Sequence, residues 1–154
     1  MSDTIREQII SAIETKLADI TVANGYNTDI GKEVLRARKN VDPDSLPAVV
    51  IWPLPEIVER KSGKYICTMR TRLEGLMKFE ENNPSVISEQ ILGDLIALMA
   101  DPAKRSTLTA GLADDVFYSE GGTDDYPEEK DISVGASAIF AVIYKIKIGN
   151  PYSQ

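Results

Sequence analysis

"GKYICTMRTRLEGLMKFEE", residues Gly63–Glu81, alternates apolar and polar side chains with a period of two. This period predicts a β-strand with one apolar face and one polar face. From Lys64 to Glu80 such a strand is about 55 Å long at ~3.3 Å per residue. A compact domain of 154 residues has a diameter of about 38 Å. The predicted strand is therefore longer than the domain that carries it, so its far end needs a partner.

Other stretches also predict strands. Ile132–Ile148 alternates over a similar length, and the β-branched run Ala48–Trp52 predicts a central strand. Less regular patterns predict short strands at Ile30–Lys39 and Val116–Glu120. Ser62-Gly63, directly before the long strand, is typical of a hairpin turn.

Prolines and glycines predict where these strands are interrupted. Pro53 and Pro55 follow the Ala48–Trp52 run and favour an edge or a crossing point over a continuous ladder. Gly75 and Gly135 lie inside the two long strands and predict a bulge or a bend in each.

Two amphipathic helices complete the prediction. Thr4 and Glu7 form a capping box at the start of the first helix, and Asn24-Gly25 predicts its end. Asn83-Pro84 predicts the start of the second helix, and Asp101-Pro102 its end. The apolar stripes of the two helices are Ile5, Ile9, Ile13, Leu17 and Ile20, and Ile87, Ile91, Leu95 and Leu98.

The order of these elements predicts the fold class. A helix, three or four strands, a second helix and two last strands indicate an α+β domain with a mixed, mostly antiparallel sheet. Both helices are expected on one face of that sheet. No linker or repeat divides the chain, which predicts a single domain over residues 1–154.

Composition excludes several classes of chemistry. The chain has no histidine, which removes histidine-based acid–base catalysis and the common zinc sites. Its net charge of −7 argues against a sequence-independent electrostatic grip on nucleic acid. Cys67, on the apolar phase of the long strand, predicts a buried, reduced thiol and no internal disulfide. A charged N-terminus and the lack of a long apolar run predict neither a signal peptide nor a membrane span.

Two groups of charged residues are candidates for binding. Arg70, Arg72 and Glu74 share the polar face of the long strand, where they either bind an acidic partner or pair across strands. An acidic loop follows the Val116–Glu120 strand and either collects a hard cation or is a solvated loop; its spacing does not fit an EF-hand. The acids of this loop are Asp124, Asp125, Glu128, Glu129 and Asp131. We find no catalytic constellation, so we expect a non-enzymatic protein without a cofactor.

The order of the parts resembles one family. The helix IREQIISAIETKL, the segment GYNTDIGKEVLRARKNVDPDSLPAVVIWP, the helix ISEQILGDLIALMADP and the closing strand FAVIYKIKIGNP carry the resemblance. Together they are similar to the tail-terminator, or tail-completion, proteins of long-tailed bacteriophages. The resemblance spans nearly the whole chain and consists of packing patterns rather than chemical motifs.

This resemblance implies a function in virion assembly. Such a subunit closes into a homohexameric ring that caps the tail-tube protein, ends tube growth and offers a surface to the head–tail connector. DNA passes through the ring without specific binding, and the protein is found at the tail–head junction after assembly in the host cytoplasm. In a ring, a long strand can extend toward the neighbouring subunit, and the candidate interface residues are Arg70, Arg72, Glu74, Asp124, Asp125, Glu128 and Glu129. A head–tail joining protein of the neck and a metal-dependent hydrolase that uses the acidic loop are the alternatives.

Overall fold

The computed structural model describes residues 2–79, 83–123, 126–128 and 131–154. They form an α+β domain, as the order of predicted elements indicates. The helices are α1 (Ile5–Leu17), α2 (Pro84–Met99) and the short α3 (Arg105–Leu108). The strands are β1 (Val34–Arg36), β2 (Ala48–Lys61), β3 (Lys64–Lys78), β4 (Ala113–Gly122) and β5 (Ser133–Lys147).

One mixed sheet contains all these strands, in the order β1-β2-β3-β5-β4. Only the β1–β2 pair is parallel, and the other three pairs are antiparallel. The two long strands, β3 and β5, pair with each other without a register shift from Lys64↔Lys147 to Lys78↔Ser133. β2 lies along the other side of β3. The far end of β3 is therefore paired on both sides within the chain, and any extension of the sheet has to start from other strands.

β2 shows how the prolines act. The sequence favours an interruption at Pro53 and Pro55, but the strand continues to Lys61. Its pairing with β3 shifts register between Pro53 and Glu56. This local irregularity accommodates Pro53 and Pro55, which lack an N–H group. The hairpin turn at Ser62-Gly63 is confirmed, and both residues have positive φ values, 53° and 76°.

The core lies between the sheet and the first two helices. The apolar phase predicted for the long strands faces the helices: Cys67, Met69 and Leu73 of β3 and Phe140 of β5 are all buried. The predicted helix stripes pack against the same face, which confirms the arrangement of both helices on one side. Cys67 is 1% exposed, as expected for a buried thiol.

The helix ends are partly as predicted. Thr4 caps α1 by accepting a hydrogen bond from the Glu7 N–H, and Asn83 caps α2 in the same way through the Ser85 N–H. α1 ends at Leu17, however, and Gly25 closes a separate 3₁₀ turn over Val22–Asn24. The expectation that Asn24-Gly25 ends the first helix is wrong.

The predicted strand at Ile30–Lys39 is also reduced. Ile30–Lys32 forms a 3₁₀ turn, and only Val34–Arg36 is strand. Gly31 explains this, because a Cβ atom there would lie 2.5 Å from the Leu17 carbonyl oxygen at the end of α1. The backbone at Gly31 therefore lies in close contact with the end of α1, and it forms a turn before it enters the sheet.

The two strand glycines do not mark bulges, so that prediction is wrong. Gly75 pairs with Ala136 and Gly135 with Leu76 in an unbroken register. A Cβ atom at Gly75 would lie 2.4 Å from Cγ2 of Ile91 in α2, and one at Gly135 would lie 2.7 Å from Cδ2 of Leu76. These glycines provide space for close packing rather than a change of direction.

Candidate interaction surfaces

The predicted Arg70, Arg72 and Glu74 cluster lies on the sheet face opposite the helices. Nη2 of Arg70 donates to Oε1 of Glu120 on β4 at 2.6 Å, reaching past β5. Nη2 of Arg72 donates to Oε2 of Glu74 on the same strand at 3.0 Å. These groups are therefore paired within the chain, and both pairs keep part of their surface in contact with solvent. The cluster is present as a charged surface, with Glu120 as a member that the sequence did not indicate.

The predicted acidic loop is described only in part. Asp124, Asp125 and Glu129 lie outside the described residues. Glu128 and Asp131 are described, and two hydrogen bonds join them. The Glu128 N–H donates to the side-chain Oδ2 of Asp131 at 2.8 Å, and the Asp131 N–H donates to the Glu128 carbonyl at 2.9 Å. Within the described part of the chain, no three acidic or cysteine side chains are grouped as a metal site would require.

The sheet has an unpaired edge on each side. On one side, β1 covers β2 only from Val49 to Ile51. Beyond that point β2 continues for ten more residues to Lys61, and on the side away from β3 no described strand lies beside them. On the other side, β5 is the only described strand that pairs with β4, and no described strand lies along the outer side of β4. Unpaired strand edges are sites where another chain can add its own strand.

Each unpaired edge exposes large apolar side chains. On β2, Ile57 is 72% and Val58 49% exposed, and on β4, Phe117 is 44% and Tyr118 38% exposed. The alternation within each strand places one member of each pair on either face of the sheet. Adjacent exposed apolar residues on an open edge are typical of a surface that is covered in an assembly.

The hairpin end of the sheet is strongly basic. Lys61 of β2 lies opposite Lys64 of β3, which lies opposite Lys147 of β5. Like charges in directly opposed positions destabilise a sheet. Lys145, two residues before Lys147, pairs with Asp114 of β4 at 3.6 Å. This row of lysines stands out in a chain whose net charge is −7.

A partly buried polar network holds the start of the exposed half of β2. Arg6 of α1 donates from Nη1 to Glu56 at 2.8 Å and from Nη2 to the Leu54 carbonyl at 2.6 Å. Oε2 of Glu56 also accepts a hydrogen bond from the Tyr144 hydroxyl of β5. Burial, and then the hydrogen bond and charge of Glu56, raise the pKa of Tyr144. This network fixes the strand where the two prolines remove its N–H groups.

The same surroundings keep the single thiol unreactive. Burial, and then the nearby charge of Glu56, raise the pKa of Cys67. A thiol whose pKa is raised stays protonated at neutral pH and is a weak nucleophile. The position of Cys67 is therefore that of a packing residue.

A cleft of about 620 Å³ lies between residues 19–27 and α2. Asp94 of α2 is 2% exposed at its base, and its carboxylate accepts four hydrogen bonds, from the N–H groups and side chains of Asn27 and Thr28. Lys104 at its rim donates to the Tyr26 hydroxyl at 3.2 Å. Asp94 thus ties the loop before β1 to α2. Its place among the apolar residues of the α2 stripe is the sequence signal that could have identified it.

Within the described residues, α1, α2 and α3 are all too short or too polar to span a bilayer. Neither the models of known protein families nor the curated proteins compared with the chain match it.

Proposed function

We propose that this chain is a structural subunit that joins copies of itself into a closed ring. The observation that carries the proposal is the sheet with two unpaired edges, on β2 and on β4, each exposing adjacent apolar side chains. A subunit with one such edge on each side can add a neighbour at both ends. Repeated head-to-tail contacts of this kind form a ring when the rotation between copies closes.

The resemblance to tail-terminator proteins supports a proposal for where the ring is located. We propose that the ring is a homohexamer at the end of a phage tail tube, where it stops tube growth and receives the head–tail connector. Its partners are then the tail-tube protein, the connector protein and its own copies, and DNA passes through it without specific contacts. The protein would act by shape and surface complementarity, without catalysis or a cofactor, and would be found in the virion at the tail–head junction.

Tail length tests the proposal. In a phage genome that carries this chain, deletion of its gene should give tail tubes of irregular length without attached heads, as measured by negative-stain electron microscopy. Supplying the intact chain from a plasmid should restore tails of one length. Tails of normal length in the deletion strain would contradict the terminator function. Tails of normal length that lack heads would instead favour the head–tail joining function.

A further inference from the structure

The strand directions determine how two copies can meet. β2 is antiparallel to β3, β3 to β5, and β5 to β4. β4 therefore runs antiparallel to β2 of the same chain. If two copies lie side by side in the same orientation, β4 of one copy is antiparallel to β2 of the next. Antiparallel pairing across the junction thus needs no inversion of either subunit.

The part of each edge that can pair is short and well bounded. Pro53 and Pro55 have no N–H group, and the Leu54 carbonyl already accepts from Arg6. The regular, uncovered part of β2 is therefore Glu56–Lys61. On β4, register shifts at Ala113/Asp115 and Tyr118/Glu120 leave the regular stretch 115–118, in which the Val116 N–H already donates to Oδ1 of Asp115 at 2.9 Å.

The two edges match in side-chain chemistry on both faces of the sheet. Val58 pairs with Cys67, on the helix face, and Tyr118 pairs with Phe140, also on the helix face. Ile57 and Phe117 lie on the opposite face, because each precedes one of these residues. A junction that places Val58 opposite Tyr118 then brings Ile57 to the diagonal position beside Phe117.

The same register matches the charges. Lys61 lies three residues after Val58, and Asp115 lies three residues before Tyr118, so antiparallel pairing places Lys61 opposite Asp115. By register both side chains lie on the face away from the helices, since Lys61 pairs with Lys64 and Asp115 with Ile143. Asp115 already accepts from Arg105 of α3 at 3.3 Å, but half of its side chain stays exposed, so Lys61 of a neighbour would share this carboxylate with Arg105. All charged residues of β4 are acidic: Asp114, Asp115 and Glu120. The basic hairpin end of one copy would therefore face an acidic strand of the next.

We propose that the outer edge of β2 over Glu56–Lys61 binds the outer edge of β4 of a second copy, in the antiparallel register that sets Val58 opposite Tyr118 and Lys61 opposite Asp115. This inference rests on the proposed ring and names the surface that forms it. β4 paired with β4 would oppose acidic strands only and would end at a dimer. The β2–β4 contact leaves one open edge at each end and can be repeated until the ring closes.

Cysteine cross-linking tests the register. Val58→Cys and Tyr118→Cys in one chain lie on strands separated by two others, about 14 Å apart, which is too far for a disulfide within one copy. Between copies the two positions are directly opposed. Mild oxidation should therefore give a ladder of covalent oligomers on a non-reducing gel. Because Val58 pairs directly with Cys67, a cysteine at position 58 would lie within disulfide distance of this native thiol in the same chain, so every variant is made in a Cys67→Ala background.

The controls separate this inference from the proposed ring. Each single variant alone should give no ladder, and a covalent dimer of Val58→Cys alone would show β2–β2 pairing and overturn the inference. If native mass spectrometry shows a wild-type oligomer but the double variant gives no ladder, the β2–β4 contact is wrong and the ring stands. If the wild type does not associate at any concentration, the ring itself is wrong.

Charge exchange provides a second test that does not depend on oxidation. Lys61→Glu should raise the concentration at half-assembly by about tenfold, and Asp115→Lys should do the same. An equal mixture of the two variants should restore assembly to within about twofold of wild type, because alternating copies place opposite charges at every junction. Lys78→Glu is the matched control: it makes the same charge change on β3, at the end of the sheet away from the hairpin, and should leave the concentration at half-assembly unchanged. Equal behaviour of Lys61→Glu and Lys78→Glu would overturn the inference.

Discussion

At the scale of single residues, the Arg6–Glu56–Tyr144 network holds β2 in place, and the sequence alone does not predict it. Glu56 lies 50 positions from Arg6 and 88 from Tyr144, so only the fold brings them together. The network satisfies a carboxylate and a carbonyl at the place where β2 loses two N–H groups to proline. It therefore sets the direction of the β2 edge that we propose as an interface.

Removing the hydroxyl of this network should lower stability. Tyr144→Phe keeps the aromatic ring of the side chain but removes one of the donors to Glu56, whose side chain is partly buried. We expect the free energy of unfolding to fall by about 1–2 kcal/mol, as measured by urea denaturation. Tyr118→Phe, at an exposed tyrosine, is the control and should change it by less than about 0.5 kcal/mol. A Tyr144→Phe protein as stable as the wild type would mean that the network contributes little.

Gly75 tests the close packing of the sheet against α2. In Gly75→Ala the new methyl group would lie 2.4 Å from Cγ2 of Ile91, so strand or helix has to move. We expect a loss of about 1–3 kcal/mol in the free energy of unfolding. Gly93→Ala, inside α2 with no atom within 4 Å of the new Cβ, should instead stabilise the protein by about 0.5–1 kcal/mol. A stabilising Gly75→Ala would show that the close approach is relaxed in solution.

At the scale of elements, a charged pair connects α1 to the short parallel strand. Arg36 of β1 donates to both carboxylate oxygens of Glu7 at 2.6 Å. The hydrogen bonds from Arg36 lower the pKa of Glu7. Because the folded pKa is lowered, the pair contributes stability above the ordinary glutamate value of about 4.3, and that contribution is lost as the pH falls through the folded value.

Glu7→Gln measures this contribution. About a third of each side chain is exposed, so we expect a loss of only about 0.2–1 kcal/mol at pH 7. The difference between the variant and the wild type should be full at pH 7 and should shrink progressively as the pH falls below about 4.3, in denaturation curves recorded over this range. A difference that stays constant over this range would assign the effect to helix capping or packing instead of charge.

The elements also show what the sequence can and cannot predict. The alternation of Tyr65, Cys67, Met69 and Leu73 was sufficient to predict the long strand and its buried face, because a period of two has one interpretation over this length. The continuation of β2 past Pro53 and Pro55 was not predictable, since it depends on Arg6 of another element, which donates to the Leu54 carbonyl and to Glu56. The role of Gly75 was not predictable for the same kind of reason: it depends on Ile91, a residue on another element.

The candidate surface was predictable only in part. Arg70, Arg72 and Glu74 were placed on the polar face by the strand period alone. The β2 and β4 edges depend on strand order, which is a property of the whole sheet and has no local signal. Ile57, Val58, Phe117 and Tyr118 are apolar residues in strand-like segments, and the sequence does not show that no strand covers them.

At the scale of the whole molecule, the charged outer face of the sheet tests contact with another protein. Arg70 and Arg72 are each paired within the chain, so Arg70→Gln with Arg72→Gln should cost about 0.5–1.5 kcal/mol of folding free energy in total. If this face binds the tail tube or a neighbouring copy, the variant should remain folded by circular dichroism but give tails of irregular length. Normal tail length would show that the face is only solvated.

The central claim is that copies of this chain associate in a closed, defined number. Native mass spectrometry of the wild-type protein over a range of concentrations measures this directly. We predict a monomer that converts with increasing concentration into one discrete oligomer, with a mass of six subunits, and with no larger species above it. A monomer at every concentration, or a continuous series of growing oligomers, would contradict the ring.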